Sequence, residues 1–398
     1  MTDLDRRLRD ALGALPGGTR DARRRAERAA LDALPPSAAR RRRPRWILAA
    51  AATVAAVAVA GAALAATDRL EVRIGPQPAA ERVARVPQAP PPGQVRVPAE
   101  ARGLALVAGG RLWLGTREGL GVQRLAASTA ELSPNALFAA AGLGDSLVAM
   151  APDGRRAWSV PTPGEVAAIA WAPNPIAVAY VVRRGGRHEL RVIEGDGDGD
   201  RLVDPDVRPV RPAWRADTQA LAYVGRGGAV RVADYPSLAT RDALAPPGGG
   251  AVAVAYAPSG DRLAVATAAS VAVAGAGSPP AWMPLGGRSL RVSALAWASS
   301  DALLAAGEDQ RPGGLGRLMS LPAAPALSGK AAASRFGPPV RAIGIPAGGG
   351  RPVVAVAVGA RTQVWEVDAL APGPDRELAP RQVLLDVPAR EVGALSVR

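Results

Sequence analysis

Cysteine is absent from the 398 residues, histidine occurs once, at His188, and lysine once, at Lys330. Without cysteine there is no disulfide, no thiolate metal centre, no thiol nucleophile and no lipid-modified N-terminal cysteine. One histidine excludes a multi-histidine metal centre. A Ser-His-Asp triad would have to use His188, and no Gly-x-Ser-x-Gly elbow accompanies it. His188 lies in a strand between Arg187 and Glu189 and reads as an ordinary surface residue. Walker A and dinucleotide-binding glycine patterns are missing too. No catalytic residue and no organic cofactor is therefore expected. Aromatic residues make up only 4% of the chain, too few for the interleaved basic-aromatic face of a nucleic-acid binder.

What is abundant is arginine, and it is unevenly placed. The formal net charge is +14, and residues 1–45 alone hold 13 arginines against 6 acidic residues. In that tail Leu4, Leu8, Ala11, Leu12 and Leu15 recur at helical spacing after a threonine cap at Thr2, and Pro16-Gly17-Gly18 breaks the pattern. The tail is either a docking site for a cytosolic partner or a charged, mostly disordered segment. Arg40 to Arg43 and Arg45 then abut a run of 21 uncharged residues, 46–66. At about 1.5 Å per residue such a run crosses a hydrocarbon core of about 30 Å as a helix. The arginines before it place the N-terminus in the cytoplasm and all that follows outside. Ala63-Leu64-Ala65 offers a signal-peptidase-like site. The 45 residues ahead of the run and the run's own length both exceed those of a signal peptide, so an uncleaved signal anchor is expected. Residues 67–100 carry seven prolines and read as a polyproline stalk.

From residue 101 to 398 the pattern is short apolar strands separated by Gly, Pro and Asp turns. One strand type recurs, beginning at Leu104, Leu147, Val178, Leu221, Leu263, Leu303 and Val354, at spacings of 43, 31, 43, 42, 40 and 51 residues. A period near 40–45 residues is that of a four-stranded propeller blade. Trp171, Trp214, Tyr256 and Trp297 keep the same beat, each at the end of the preceding strand and each followed by a tight turn. The expected fold is all-β, a β-propeller of seven blades. The C-terminal Val392-Gly-Ala-Leu-Ser-Val397 has the pattern of Val292 to Trp297 and is expected to complete the first blade, removing exposed edges.

The segments starting WAPNPIAVAYV at Trp171, WRADTQALAYV at Trp214 and YAPSGDRLAVA at Tyr256 resemble the W-S-P-D-G-x-x-L-A signature of TolB-type, WD40-like propeller repeats. The closest approach to Ser-Pro-Asp-Gly reads as Ala151-Pro152-Asp153-Gly154, and the Gly-His and Trp-Asp dipeptides of eukaryotic WD40 blades are missing. The resemblance implies the fold and a role in binding, without naming a partner.

One local pattern suggests a metal. Asp196, Asp198 and Asp200 alternate with glycines, a spacing that wraps oxygen ligands around calcium. Arg201 and Val207 occupy the places where an EF-hand loop needs glycine and glutamate, so the alternative is a solvated turn between two outer strands. The function these features favour is a membrane-anchored, extracytoplasmic binding or scaffold module for a protein or other envelope ligand. The competing readings are a carboxylate-based enzyme such as a glycosidase, and a transmembrane regulator signalling through its tail.

Overall fold

The computed structural model describes residues 89–90, 94–117, 125–275, 280–285, 290–309, 315–323, 333–346, 349–368, 376–389 and 391–398. The expected tail at 1–45, the expected span at 46–66 and most of the expected stalk lie outside them. Among the described residues no helix is long and apolar enough to cross a membrane.

Seven antiparallel sheets follow one another along the chain as the blades of a propeller. Blade 1 pairs Val392–Val397, innermost, with Gly103–Ala108, Arg111–Thr116 and Leu125–Ala126. Blade 2 is Thr129–Leu132, Ala139–Leu143, Ser146–Met150 and Arg156–Pro161. Blade 3 is Glu165–Trp171, Ala177–Arg184, Arg187–Glu194 and Arg201–Asp204. Blade 4 is Ala213–Trp214, Ala220–Val224, Val230–Asp234 and Ala239–Leu244, and blade 5 is Ala253–Tyr256, Arg262–Ala266, Ser270–Gly275 and Met283–Pro284. Blade 6 is Leu290–Ser299, Ala302–Asp309, Gly316–Pro322 and Ala333–Gly337, with Arg376–Glu377 added in parallel at its outer edge. Blade 7 is Val340–Gly344, Val353–Val358, Arg361–Glu366 and Gln382–Val387.

The ring closes as the sequence implies. Val397 stands opposite Leu104, Leu395 opposite Leu106 and Val392 opposite Ala108, so the two ends of the domain share one sheet. Among the described residues the buried apolar side chains do not form one core. Seven clusters of buried apolar side chains fill the seven seams between neighbouring blades, which is why the second strands are apolar on both faces.

Two sequence expectations shift. In blade 2 the strand from Leu147 is the third, not the second; the second is Ala139–Leu143, an alanine run that carries little β-branched signal. This slip produced the uneven spacings of 43 and 31. The turn nearest to Ser-Pro-Asp-Gly is Ser133-Pro134-Asn135-Ala136, directly after Leu132 at the end of an innermost strand. Ala136 adopts φ 57°, as do Thr218 (62°) and Gly260 (79°) at the same place in blades 4 and 5. That left-handed site is where the repeat signature carries glycine. Ala151 to Gly154 instead turns between the third and outermost strands of blade 2.

The propeller's packing also reaches back before residue 101. Val95 and Val97 lie against the seam of blades 7 and 1, and the Arg96 N–H donates to the Leu384 carbonyl at 2.8 Å.

Candidate functional site

The innermost strands surround a central channel, and a repeated irregularity shapes its wall. In blades 1, 3, 6 and 7 the innermost strand skips a residue in its pairing at Gly393, Ala167, Ser293 and Arg341, and in blade 6 Ala298 is skipped as well. Such bulges sharpen the local twist and turn the extra residue out of the ladder. Gly393, Ala167, Ser293 and Arg341 line a channel cavity of about 250 Å³. A Cβ on Gly393 would come within 2.6 Å of the Ser128 carbonyl, so this position needs glycine. Ser128 and Ser293 each donate to a carbonyl of the next blade, at Val166 and Val340, over 2.6 Å.

Towards the face that carries the turns after the innermost strands, the channel widens to a mouth of about 640 Å³. Trp171, Trp214 and Tyr256 end their strands there, and Trp297 stands two residues before the end of its own. The indole N–H of Trp214 donates to Ala170 O, and that of Trp297 to Ala255 O, both at 2.9 Å. Each bond ties a blade to its predecessor. Trp171 holds the same place in blade 3, but its buried indole N–H has no partner.

Glu131, on the innermost strand of blade 2, lines both channel cavities and is only 2% exposed. Two guanidiniums hold it. Arg211 reaches past blade 3, placing Nε 2.9 Å from one carboxylate oxygen and a terminal nitrogen 2.6 Å from the other. Arg398 donates from blade 1 at 2.8 Å. Arg211 is walled in by protein, yet 60% of its side chain remains open to channel solvent. The Glu131 charge raises the Arg211 pKa above its ordinary value, against the opposing effect of burial. The Arg398 Nε–H is buried without an acceptor. Within the two channel cavities Glu131 is the sole acidic side chain among the described residues.

The aspartates of the expected calcium loop are placed differently. They lie between the third and outermost strands of blade 3. Asp196 caps its own turn by accepting from the Asp198 N–H at 3.1 Å. Asp200 is bound by Arg191, at 2.8 Å from a terminal guanidinium nitrogen, and by the Tyr180 hydroxyl at 2.8 Å. A cation there would have to displace a guanidinium. Among the described residues no three Asp, Glu, His or Cys side chains converge where they could hold a metal ion.

A sister network links blades 3 and 4: buried Asp204 accepts from the Tyr223 hydroxyl at 3.0 Å and from Arg231 at 2.6 Å. Burial, together with the carboxylate of Asp200 or Asp204, pushes the pKa of both tyrosines far above the usual range, so they remain neutral donors. Sequence reading did not foresee these networks or the Glu131 pair. The tyrosines lie directly opposite their arginines on neighbouring strands, Tyr180 with Arg191 and Tyr223 with Arg231, and that repeated pairing was the available signal. His188 is half-buried on the third strand of blade 3, and burial and nearby Arg183 lower its pKa.

No family model matches the chain and no curated protein resembles it at significant similarity. Solved structures do resemble it. A chain of the "Crystal Structure of Mitotic Checkpoint Complex" matches with TM-score 0.53 and 15% identity, covering 82% of this chain and 90% of that one. The Myceliophteria thermophila Cps50 (Swd1) β-propeller domain matches with TM-score 0.54 and 14% identity, covering 71% of this chain and 99% of that domain. At such identities the likeness establishes the shared β-propeller fold alone.

Proposed function

We propose that this chain is a membrane-anchored binding module of TolB-like type, held by an N-terminal signal anchor with its propeller outside the cytoplasm, where it docks or scaffolds a protein partner of the envelope. The observation that carries the binding role is the face at the channel mouth. Leu137 (59% exposed) and Ile176 (49% exposed) stand on the turns after the innermost strands of two adjacent blades. They share these turns with Pro134 and Pro173, which line the open mouth where Arg211 and Arg398 meet Glu131. Rigid turns carrying exposed apolar side chains around a polar centre suit protein recognition. That one similar propeller occurs in a structure described as a complex agrees with this reading. A glycosidase needs two carboxylates about 5–9.5 Å apart, and among the described residues Glu131, held by two guanidiniums, is the one acidic side chain lining the channel cavities. The anchor rests on the arginines ahead of residues 46–66.

The test uses the intact chain in its native envelope, with a photo-crosslinking residue at Leu137 or at Ile176. A defined protein adduct from both positions, and none from exposed Leu202 on an outermost strand, supports the binding face. Equal labelling from all three positions, or from none, rejects it.

A further inference from the structure

The channel mouth holds more positive charge than its internal pairing uses. Two guanidiniums, Arg211 and Arg398, face one carboxylate, Glu131. Arg211 stays open to the channel, and the Arg398 Nε–H has no acceptor. Trp171 lines the same cavity, and its indole N–H, in a residue only 4% exposed, is unpartnered although its counterparts in blades 4 and 6 are bonded. Buried donors without acceptors are costly, and native structures usually satisfy them. Both of those donor atoms are closed off from solvent, whereas Arg211 is open to the cavity, so the accessible donor capacity is that of a guanidinium pair sharing one acidic side chain.

We propose that this mouth binds a single carboxylate of a protein partner, a chain end or an acidic side chain inserted along the channel axis and held by Arg211 and Arg398. Guanidinium forks match a planar carboxylate through paired hydrogen bonds. The side-chain charges favour a monoanion: one negative charge balances the surplus, whereas a phosphate dianion would overshoot it beside Glu131. The apolar rim at Pro134, Pro173, Pro258 and Pro346 offers contact surface for the residues flanking the carboxylate. The proposal rests on the propeller's reading as a protein-binding module and specifies the chemistry of its centre.

Three probes test it on the intact chain: acetyl-Ala-Leu-Ala with a free α-carboxylate, the same peptide amidated, and inorganic phosphate. Tryptophan fluorescence and thermal melting read binding, since three tryptophans line the mouth. The acid peptide should give a saturable signal and raise the melting temperature, and the amide should not. Arg211→Met and Arg398→Met should each weaken binding at least about tenfold. Glu131→Gln should tighten it, because both guanidiniums are then free, and the acid peptide should raise this variant's melting temperature more than the wild type's. That arm stays decisive even where the arginine variants fold poorly. Equal binding of the amide, a response to phosphate alone, or no added rescue of Glu131→Gln overturns the proposal. A partner adduct from Leu137 that survives Arg211→Met also overturns it, while leaving the binding module standing.

Discussion

Single side chains in this propeller differ in worth according to how far they are withdrawn from water, and Arg231 shows both extremes. It bonds Asp204, buried and shared with the Tyr223 hydroxyl, and Asp242, whose side chain is 81% exposed. Asp204→Ala strands a buried hydroxyl and half of a guanidinium, and it should cost about 2–3 kcal/mol of stability in urea unfolding. Asp242→Ala should lie within about 0.5 kcal/mol of the wild type. Equal losses would show that the buried network contributes nothing special. His188 makes a pH prediction. Its folded pKa lies below the usual histidine value, so between the two values the unfolded chain binds more protons. Stability should therefore fall as the pH drops below about 6.5, and His188→Gln should remove that slope. With one histidine in the chain, a single imidazole NMR titration reads the folded pKa directly.

Elements were the most legible level of the sequence. Strand period, turn residues and the terminal aromatics gave the blades their register because each repeat must bury both faces of its second strand. The register slipped where the chemistry was bland: Ala139–Leu143 is fully strand yet rich in alanine, and the neighbouring Leu147 to Met150 outshone it. The channel mouth was illegible for another reason. Glu131 meets Arg211 across 80 positions and Arg398 across 267, so the first contact needs neighbouring blades to curve around the channel and the second needs the ring to close. Seams between elements were likewise unreadable one residue at a time. Arg262, at the start of the second strand of blade 5, donates to the carbonyls of Ser300 and Ala323 in blade 6 and lies 5.4 Å from the centre of the Trp297 ring. Arg262→Lys keeps the charge but not the fork that spans two turns. It should lose about 1–2 kcal/mol, most of the cost of Arg262→Ala, because two carbonyls and a ring contact depend on that fork. A lysine variant as stable as the wild type would assign the seam to charge alone.

At the scale of the whole molecule, the last strand decides whether the ring is closed. Val392–Val397 is the innermost strand of blade 1, yet it arrives some 290 residues after the strand it pairs with. Val397 is buried, Val392 and Leu395 are half-buried, and the Ser396 hydroxyl accepts the Leu132 N–H from blade 2 at 3.1 Å. A chain ending at residue 391 loses all of this, and Arg398 with it. Fully burying one such aliphatic side chain contributes about 1.5–3 kcal/mol, so three partly to fully buried ones make several, against a typical total of about 5–15 kcal/mol. The deletion also uncovers the edge of Gly103–Ala108, whose six residues are all buried. An exposed, apolar strand edge recruits other chains. The truncated protein should therefore melt far below the intact chain and form concentration-dependent aggregates visible by light scattering. Asp242→Ala, exposed and remote from the closure, serves as the control for handling losses. If the 391-residue chain melts at the wild-type temperature and stays monomeric, blade 1 is stable without its innermost strand. The closure would then be a late embellishment, and Arg398 could be studied apart from the stability of the ring.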